Sequence, residues 1–223
     1  SDLLHNPAYL TSRDPAYVEF FATLRSHPTV ALEVAAEYLA AGLWSHGRLL
    51  LTTVVAVAPE KSQISPLVYY YSAESAERLG DAIDATGFRQ LAAAAAPRGV
   101  FPFQSELIPV LRRAMAANPR DARAPYYLGN LLFDWQPDEA IRLWEKSVAL
   151  DPAFPIAWRN LAQAYSHQPG DDARTKAIAC LEKAVALRDA LPPHFAELDQ
   201  LYETAGAPVE KRLAAQRTMG ITA

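Results

Sequence analysis

The chain has 223 residues, and 51% of them are hydrophobic, which is enough for a continuous core and excludes a disordered or collagen-like protein. Its 42 alanines and 27 leucines are strong helix formers, so the composition favours an all-helical fold over an all-β fold. The formal net charge is −4, with 21 basic and 25 acidic residues, and this balance leaves no basic excess for binding nucleic acid.

Three further features concern the cellular compartment. Cys180 is the single cysteine, so no internal disulfide can form and the chain is compatible with a reducing cytoplasm. The longest apolar run, 49–58, has ten residues, whereas about 20 are needed to cross a bilayer. Residues 1–5 have neither the charged nor the apolar region of a signal peptide. We therefore expect a cytoplasmic protein with no membrane contact, either complete or a piece of a longer chain.

The N-terminal part is predicted to form a leading helix followed by degenerate helix pairs. Asp14 before Pro15 is typical of a helix N-cap and first turn, so segment 1–27 should contain a helix that ends near Ser26. Segment 28–97 has two weak matches to a helix-turn-helix repeat. They read Ala31-x2-Val34-Ala35-x2-Tyr38 with Gly47-x3-Leu51-x2-Val54-x4-Pro59, and Tyr69-x2-Ser72-Ala73-x2-Ala76 with Ala85-x3-Arg89-x2-Ala92-x4-Pro97.

Two positions in this part do not fit the pattern well. The β-branched residues of 49–58 also permit a buried strand, although the position of this run within the repeat favours a helix. Arg89 occupies a position where a large apolar residue is expected. Segment 98–120 then breaks the periodicity, with an irregular joint over 97–103 and a second helix that lacks its partner, Leu107-x3-Leu111-x2-Ala114-x4-Pro119.

Segment 121–189 contains two well-formed units. The first reads Pro125-x2-Leu128-Gly129-x2-Leu132 with Ala140-x3-Trp144-x2-Ser147-x4-Pro152, and the second reads Trp158-x2-Leu161-Ala162-x2-Tyr165 with Ala177-x3-Leu181-x2-Ala184. Small residues such as Gly129 allow the helix backbones to approach, and the closing proline ends the second helix. Segment 190–223 is predicted to hold a degenerate repeat and a closing helix from Pro208 to Met219, before Gly220.

This tandem pattern resembles the tetratricopeptide-repeat (TPR) family over about 28–205, and most closely over 121–187. The resemblance implies an all-α, right-handed solenoid of about five helix pairs with extra terminal helices. It also implies a non-catalytic scaffold that binds a protein or peptide partner, or a neighbouring domain, in a concave groove lined by the first helix of each pair. Self-association through exposed repeat ends is a further possibility, against which the terminal helices argue.

A narrower resemblance rests on four short strings. They are similar to the repeat region of large bacterial multidomain proteins that also carry a β-rich domain of unknown function. The strings are Phe101-Pro-Phe103 and residues 126–134, 158–162 and 197–201. This similarity implies an alternative function, in which the chain is an accessory domain of a larger carbohydrate-active enzyme and lends groove residues to its site. The sequence gives no indication of the oligomeric state.

The groove predicted from this resemblance runs from apolar to polar. The first helix pair supplies mainly Leu32, Ala36, Leu39 and Ala40, whereas the later pairs supply the candidate partner-binding residues Tyr70, Glu74, Arg123, Tyr126, Asn130, Asp134, Arg159, Gln163 and His167. Arginine and asparagine side chains can hold a carboxylate, and tyrosine rings can pack on a peptide or a sugar. The alternative is that these residues are solvated or paired within the array.

No catalytic or metal site, and no cofactor, is predicted for this chain alone. The histidines never occur at i, i+4 spacing, and the nucleophile-elbow, phosphate-loop and dinucleotide motifs do not occur. Cys180 fits a small core residue of a second helix better than a nucleophile. Four carboxylates could form acid–base pairs if folding brought them together, namely Asp134, Glu139, Glu197 and Asp199.

Overall fold

The computed structural model describes residues 15–97 and 99–218 of the protein. Every regular element in these ranges is a helix, with no strand, and the predicted all-α, TPR-like fold class is confirmed. The helices are α1 (Pro15–Ser26), α2 (Pro28–Ala40), α3 (Trp44–Val57), a 3-10 turn (Lys61–Gln63), α4 (Pro66–Arg78), α5 (Ala82–Ala94), α6 (Leu107–Ala117), α7 (Arg123–Leu132), α8 (Pro137–Leu150), α9 (Pro155–Ser166), α10 (Asp171–Ala186), α11 (Pro192–Thr204) and α12 (Val209–Thr218).

These helices form two compact units that divide after Pro119. Unit 1 contains α1 to α6, and unit 2 contains α7 to α12. None of the helices that the structure describes has both the length and the apolar character to cross a membrane. The finer segmentation inferred from the sequence stays a prediction.

Unit 1 is built around α4. All side chains from Pro66 to Ala76 are buried, because α4 packs against α2, α3, α5 and α6. Pro66 occupies the first turn of α4, and the Ser65 hydroxyl accepts a hydrogen bond from the Leu67 amide, which caps the helix. Run 49–58 lies almost entirely within α3, so the helix prediction is confirmed there. A helix, α1, lies where the leading helix is predicted, and the predicted cap Asp14 lies outside the described residues.

At two places in unit 1 a buried charged side chain pairs with partly exposed partners. Arg89, the residue that departs from the repeat pattern, is buried and pairs with Glu77. Glu74 on α4 is 3% exposed and accepts hydrogen bonds from Arg78 Nε at 2.8 Å and from Arg113 Nε and Nη2, both at 2.7 Å. Because Arg113 lies on α6, this carboxylate holds the helix that lacks a partner against the core of the unit.

Unit 2 consists of three antiparallel helix pairs, α7/α8, α9/α10 and α11/α12. The first pair packs closely because Gly129 faces the indole of Trp144, so the predicted close approach at this glycine is confirmed. The Trp144 indole N–H donates to the Tyr126 carbonyl and to Asn130 Oδ1, each at 3.1 Å. The buried indole therefore both fills the space between the helices and satisfies its own polar group.

Successive pairs of unit 2 are joined by a repeated hydrogen bond. The Tyr165 hydroxyl on α9 donates to Glu145 on α8 at 2.6 Å, and the Tyr202 hydroxyl on α11 donates to Glu182 on α10 at 2.7 Å. In both cases the tyrosine follows the glutamate by 20 residues. This repetition shows that α11 occupies the same position in its pair as α9 does in the preceding pair.

The closing helix is observed as α12, and its predicted end at Met219 and Gly220 lies outside the described residues. Its main contact is Arg212, whose Nε lies 2.9 Å from Asp199 Oδ1 and whose Nη2 lies 3.1 Å from Oδ2. Asp199 stands at the repeat position that Gly129 and Ala162 occupy in the earlier pairs. A bidentate ion pair therefore takes the place of close backbone packing in the last pair.

We predict that Gly129→Ala destabilises unit 2 by about 2 kcal/mol or more, since the added Cβ would lie 2.5 Å from Trp144 Nε1. Gly87→Ala is the control. A Cβ at Gly87, inside α5, meets nothing within 4 Å, so this substitution should stabilise unit 1 by roughly 0.5–1 kcal/mol. Urea unfolding followed by far-ultraviolet circular dichroism measures both changes, and an unchanged Gly129→Ala variant would contradict the packing described.

Candidate functional site

The first helices of the three pairs in unit 2, α7, α9 and α11, are connected through side chains on one face. Asn160 Nδ2 on α9 donates to Asn130 Oδ1 on α7 at 2.8 Å. Arg159 on α9 binds Glu197 on α11. We call this surface the first-helix face and define it by Asn130, Arg159, Asn160, Gln163 and Glu197.

The helical repeat explains why α9 supplies three members of this face. Arg159, Asn160 and Gln163 have i, i+1 and i+4 spacing, so they share one side of the helix. Ala157, Leu161 and Ala164 point elsewhere and are buried. The small and apolar residues of α9 thus fix its orientation, and the polar residues are left on the outer side.

Arg159 and Glu197 form the ion pair of the face. Arg159 Nη2 lies 2.7 Å from Glu197 Oε1, and Arg159 Nε lies 2.9 Å from Oε2, which is a bidentate arrangement. The hydrogen bond to Glu197 raises the pKa of Arg159. The two side chains are 35% and 32% exposed, so both remain within reach of a partner. They border a shallow cavity of about 190 Å³ that Gln163 also lines.

Two predicted groove residues of unit 2 support the face from below rather than forming its surface. Tyr126 is 3% exposed and packs on the ring of Phe154, with centroids 4.7 Å apart, and burial raises the pKa of its hydroxyl. The Arg123 guanidinium lies 3.8 Å above the ring of Phe154, and its Nη1 is 2.9 Å from Asp151 Oδ2. The expectation that Tyr126 points into an open groove is therefore corrected, because its ring is part of the core.

The predicted groove residues of unit 1 are corrected for the same reason. Tyr70 is 1% exposed within the fully buried part of α4, and Glu74 is enclosed by its two arginines. The apolar residues expected to line the start of the groove, Leu32, Ala36 and Leu39, are also buried, and only Ala40 is exposed. The repeat positions of Tyr70 and Glu74 predicted an exposed surface on α4. The packing of α4 against four helices covers that surface instead.

The remaining predicted residues of unit 2 lie at or beside the first-helix face. Asn130 is half-buried, and Gln163 is exposed. Asp134 and His167 are exposed just beyond the ends of α7 and α9. The His167 ring lies 6.5 Å from the Phe133 ring, and its Nδ1 is 2.7 Å from the Gln163 carbonyl.

The sequence did not predict Asn160 as a residue of the face, and it indicated Glu197 only as a candidate acid–base carboxylate. Asn160 directly follows Arg159, so the i, i+1 spacing on a first helix could have found it. The partner of Glu197 could not be found in this way, because the two residues of the pair are 38 positions apart. Glu197 and Asp199 do not form an acid–base pair in the structure, since each binds an arginine.

Two further titratable groups of unit 2 are buried. Burial raises the pKa of the Cys180 thiol to about 11, so the thiol is protonated at neutral pH, as suits a core residue. His194 on α11 is 3% exposed, and its Nδ1 accepts a hydrogen bond from the Leu191 amide at 3.2 Å, which caps the helix. Burial lowers the pKa of His194, and nearby Arg159 adds to this effect against the opposing charge of Glu197.

The helix pairs, the close approach at Gly129 and the row of first helices define unit 2 as a TPR-like helical repeat. Neither a protein-family model nor a curated protein matches the chain. Among solved structures, "MamA AMB-1 P212121" is 18% identical, with 85% of this chain and 88% of that chain covered and a TM-score of 0.45. "MamA 41-end from Desulfovibrio magneticus RS-1" is 19% identical, with coverages of 86% and 90% and a TM-score of 0.42.

A third solved structure, "YrrB: a TPR protein with an unusual peptide-binding site", is 18% identical. It covers 71% of this chain and 84% of its own, with a TM-score of 0.33.

We predict that Arg159 and Glu197 stabilise unit 2 cooperatively but modestly. A double-mutant cycle with Arg159→Ala, Glu197→Ala and the double variant should give a coupling energy of about 0.5–1 kcal/mol, because both groups are partly exposed and screened by water. Urea unfolding provides the four free energies. A coupling energy of zero would mean that the bidentate contact does not persist in solution.

We also predict that unit 2 loses stability as the pH falls below about 6.5. The neutral imidazole of His194 is favoured in the fold, so the unfolded chain binds a proton at higher pH than the folded chain does. The loss should begin at the unfolded-state pKa, near 6.5, and continue down to the lower folded-state value. NMR titration of the His194 ring measures the folded pKa directly. His194→Asn retains a group that can cap α11 and should flatten the stability profile below about pH 6.5.

Proposed function

We propose that the protein is a non-catalytic scaffold whose first-helix face binds an extended segment of a protein partner. The observation that carries this proposal is the row of polar side chains that joins three neighbouring first helices, from Asn130 through Asn160 and Arg159 to Glu197. Such a row crosses the helices and provides hydrogen-bonding groups at successive positions along one surface. A peptide backbone presents alternating donors and acceptors that can match them.

The hydrogen-bonding groups of the row support this function. Asn160 donates to Asn130, and both carboxamides also bind the Tyr126 hydroxyl, so they are held in place. Gln163 is exposed beside the 190 Å³ cavity and can offer its amide to a partner. Because these groups are held by packed helices, a bound segment would meet them already in position, which reduces the entropy lost on binding.

The charge of the face favours a partner segment that is not strongly charged. The positive charge of Arg159 is balanced by Glu197 at hydrogen-bonding distance. Binding of a charged segment would have to compete with this bidentate pair. Hydrogen bonds from neutral amides do not carry that cost, so we expect the affinity to depend weakly on salt.

In this proposal, Asp134 and His167 lie at the margin of the binding site. Tyr126 and Arg123 lie beneath the site and hold its residues in place. Tyr70 and Glu74 in unit 1 are left out because they are buried. The accessory-domain alternative, the narrower resemblance to bacterial multidomain proteins and the cytoplasmic location stay predictions.

Selection of a displayed library of random 12-residue peptides on the immobilised chain tests this function. We expect peptides with a Kd on the order of 10 µM, bound through the first-helix face. Gln163→Trp places a large ring on the face and should weaken the selected peptides at least tenfold, which is about 1.4 kcal/mol. Fluorescence anisotropy of labelled peptides measures the affinities.

Ala179→Trp is the matched control, since Ala179 is exposed on α10, a second helix, and lies outside the face. It should leave the affinities unchanged. Peptides that lose affinity with Ala179→Trp but not with Gln163→Trp would place the binding site on the second helices and contradict the proposal.

A further inference from the structure

Unit 1 contains a cavity of about 360 Å³ that is separate from the first-helix face. It is enclosed by α1, α2, the end of α3, the 3-10 turn, the start of α4 and the irregular joint before α6. Walls from six different segments surround it, which distinguishes it from a groove that runs along one helix. Its volume lies in the range of small-molecule sites.

The inner walls of the cavity are apolar and fixed by the core. They are formed by Leu24, Leu32, Val54, Leu67 and Val68, each of which is at most 6% exposed. Because these side chains are packed on their other sides, the cavity is part of the folded core of unit 1. An apolar ligand in the cavity would add contacts to these walls in place of water.

The outer margin consists of the joint, whose Pro-Phe sequence departs from the repeat pattern. Phe101 and Phe103 both line the cavity and are 80% and 66% exposed. Large apolar side chains with this exposure gain free energy when a ligand covers them. The repeat architecture does not require these rings, since the TPR-like pairs of unit 2 form without a comparable joint.

The electrostatic character of the lining restricts the class of ligand. The lining residues whose side chains the structure describes are uncharged, and their polar groups come from Thr29, Ser62, Ser65 and Gln104. A charged ligand would lose its hydration without gaining an ion pair. The lining therefore suits an uncharged compound that makes few hydrogen bonds.

We propose that this cavity is a binding site for an uncharged aromatic compound of roughly ten to fifteen non-hydrogen atoms. The compound lies between the buried leucine and valine side chains and is covered on its outer side by Phe101 and Phe103. The site is independent of the peptide-binding function proposed for unit 2, so either assignment can fail without the other.

Methyl NMR of the full chain tests the site with indole as the probe and indole-3-acetate as its charged analogue. Indole should shift the methyl signals of the five wall residues in a saturable way, with a Kd on the order of 0.1 mM, and leave Leu161 and Leu198 of unit 2 unmoved. Indole-3-acetate should bind at least about tenfold more weakly, because its carboxylate would be desolvated. The absence of saturable wall shifts at about 5 mM indole, or equal binding of both compounds, would overturn the proposal.

A pair of substitutions on α3 and its end checks the location. Ala58 lines the cavity, whereas Ala56 is exposed on the same helix and does not line it. Ala58→Trp should reduce indole affinity at least about tenfold, and Ala56→Trp should leave it unchanged. Circular dichroism verifies that both variants fold. If the peptides selected on the first-helix face shift the wall methyls instead of indole, the cavity is a peptide subsite, and the small-molecule assignment is wrong.

Discussion

The indole of Trp144 is the contact on which the polar surface of unit 2 depends. It fits only because Gly129 has no side chain, and its N–H donates to Asn130 as well as to the backbone of α7. Asn130 in turn orients Asn160 on the next first helix. A packing requirement in the core therefore sets the position of hydrogen-bonding groups on the surface, and the row continues through Arg159 to α11.

The two units use charged residues differently. In unit 1, Glu74 and Arg89 are themselves buried, so the loss of a partner would be costly, although their partners Arg113 and Glu77 are 38% and 47% exposed. In unit 2, Arg159 and Glu197 join two helices at the surface, where both side chains remain accessible to water. The predicted groove residues Tyr70 and Glu74 of unit 1 are thus buried, whereas Asn130, Arg159 and Gln163 of unit 2 are half-buried or exposed.

The sequence predicted the helix pairs and the close approach at Gly129, because small and large residues at fixed spacing determine which sides of two helices can meet. It did not predict which polar residues would be exposed. Glu74 and Arg113 are 39 positions apart, and Arg159 and Glu197 are 38 apart, so neither pair leaves a local pattern. Tyr70 could not be predicted as buried either. Its repeat position indicated a groove, whereas its burial depends on how many helices pack around α4.

The ionic attachment of α12 makes the end of unit 2 sensitive to ionic strength. Arg212 binds Asp199 and Glu203, and Lys211 binds Glu182, which also accepts the Tyr202 hydroxyl. Salt weakens such partly exposed pairs, while the apolar contacts of α9 and α10 are little affected. The amide hydrogens of α12 should thus exchange with solvent first, and fraying would uncover the Tyr202 ring that Lys211 covers at 4.6 Å. We therefore expect the accessibility of the Tyr202 ring to rise with the salt concentration.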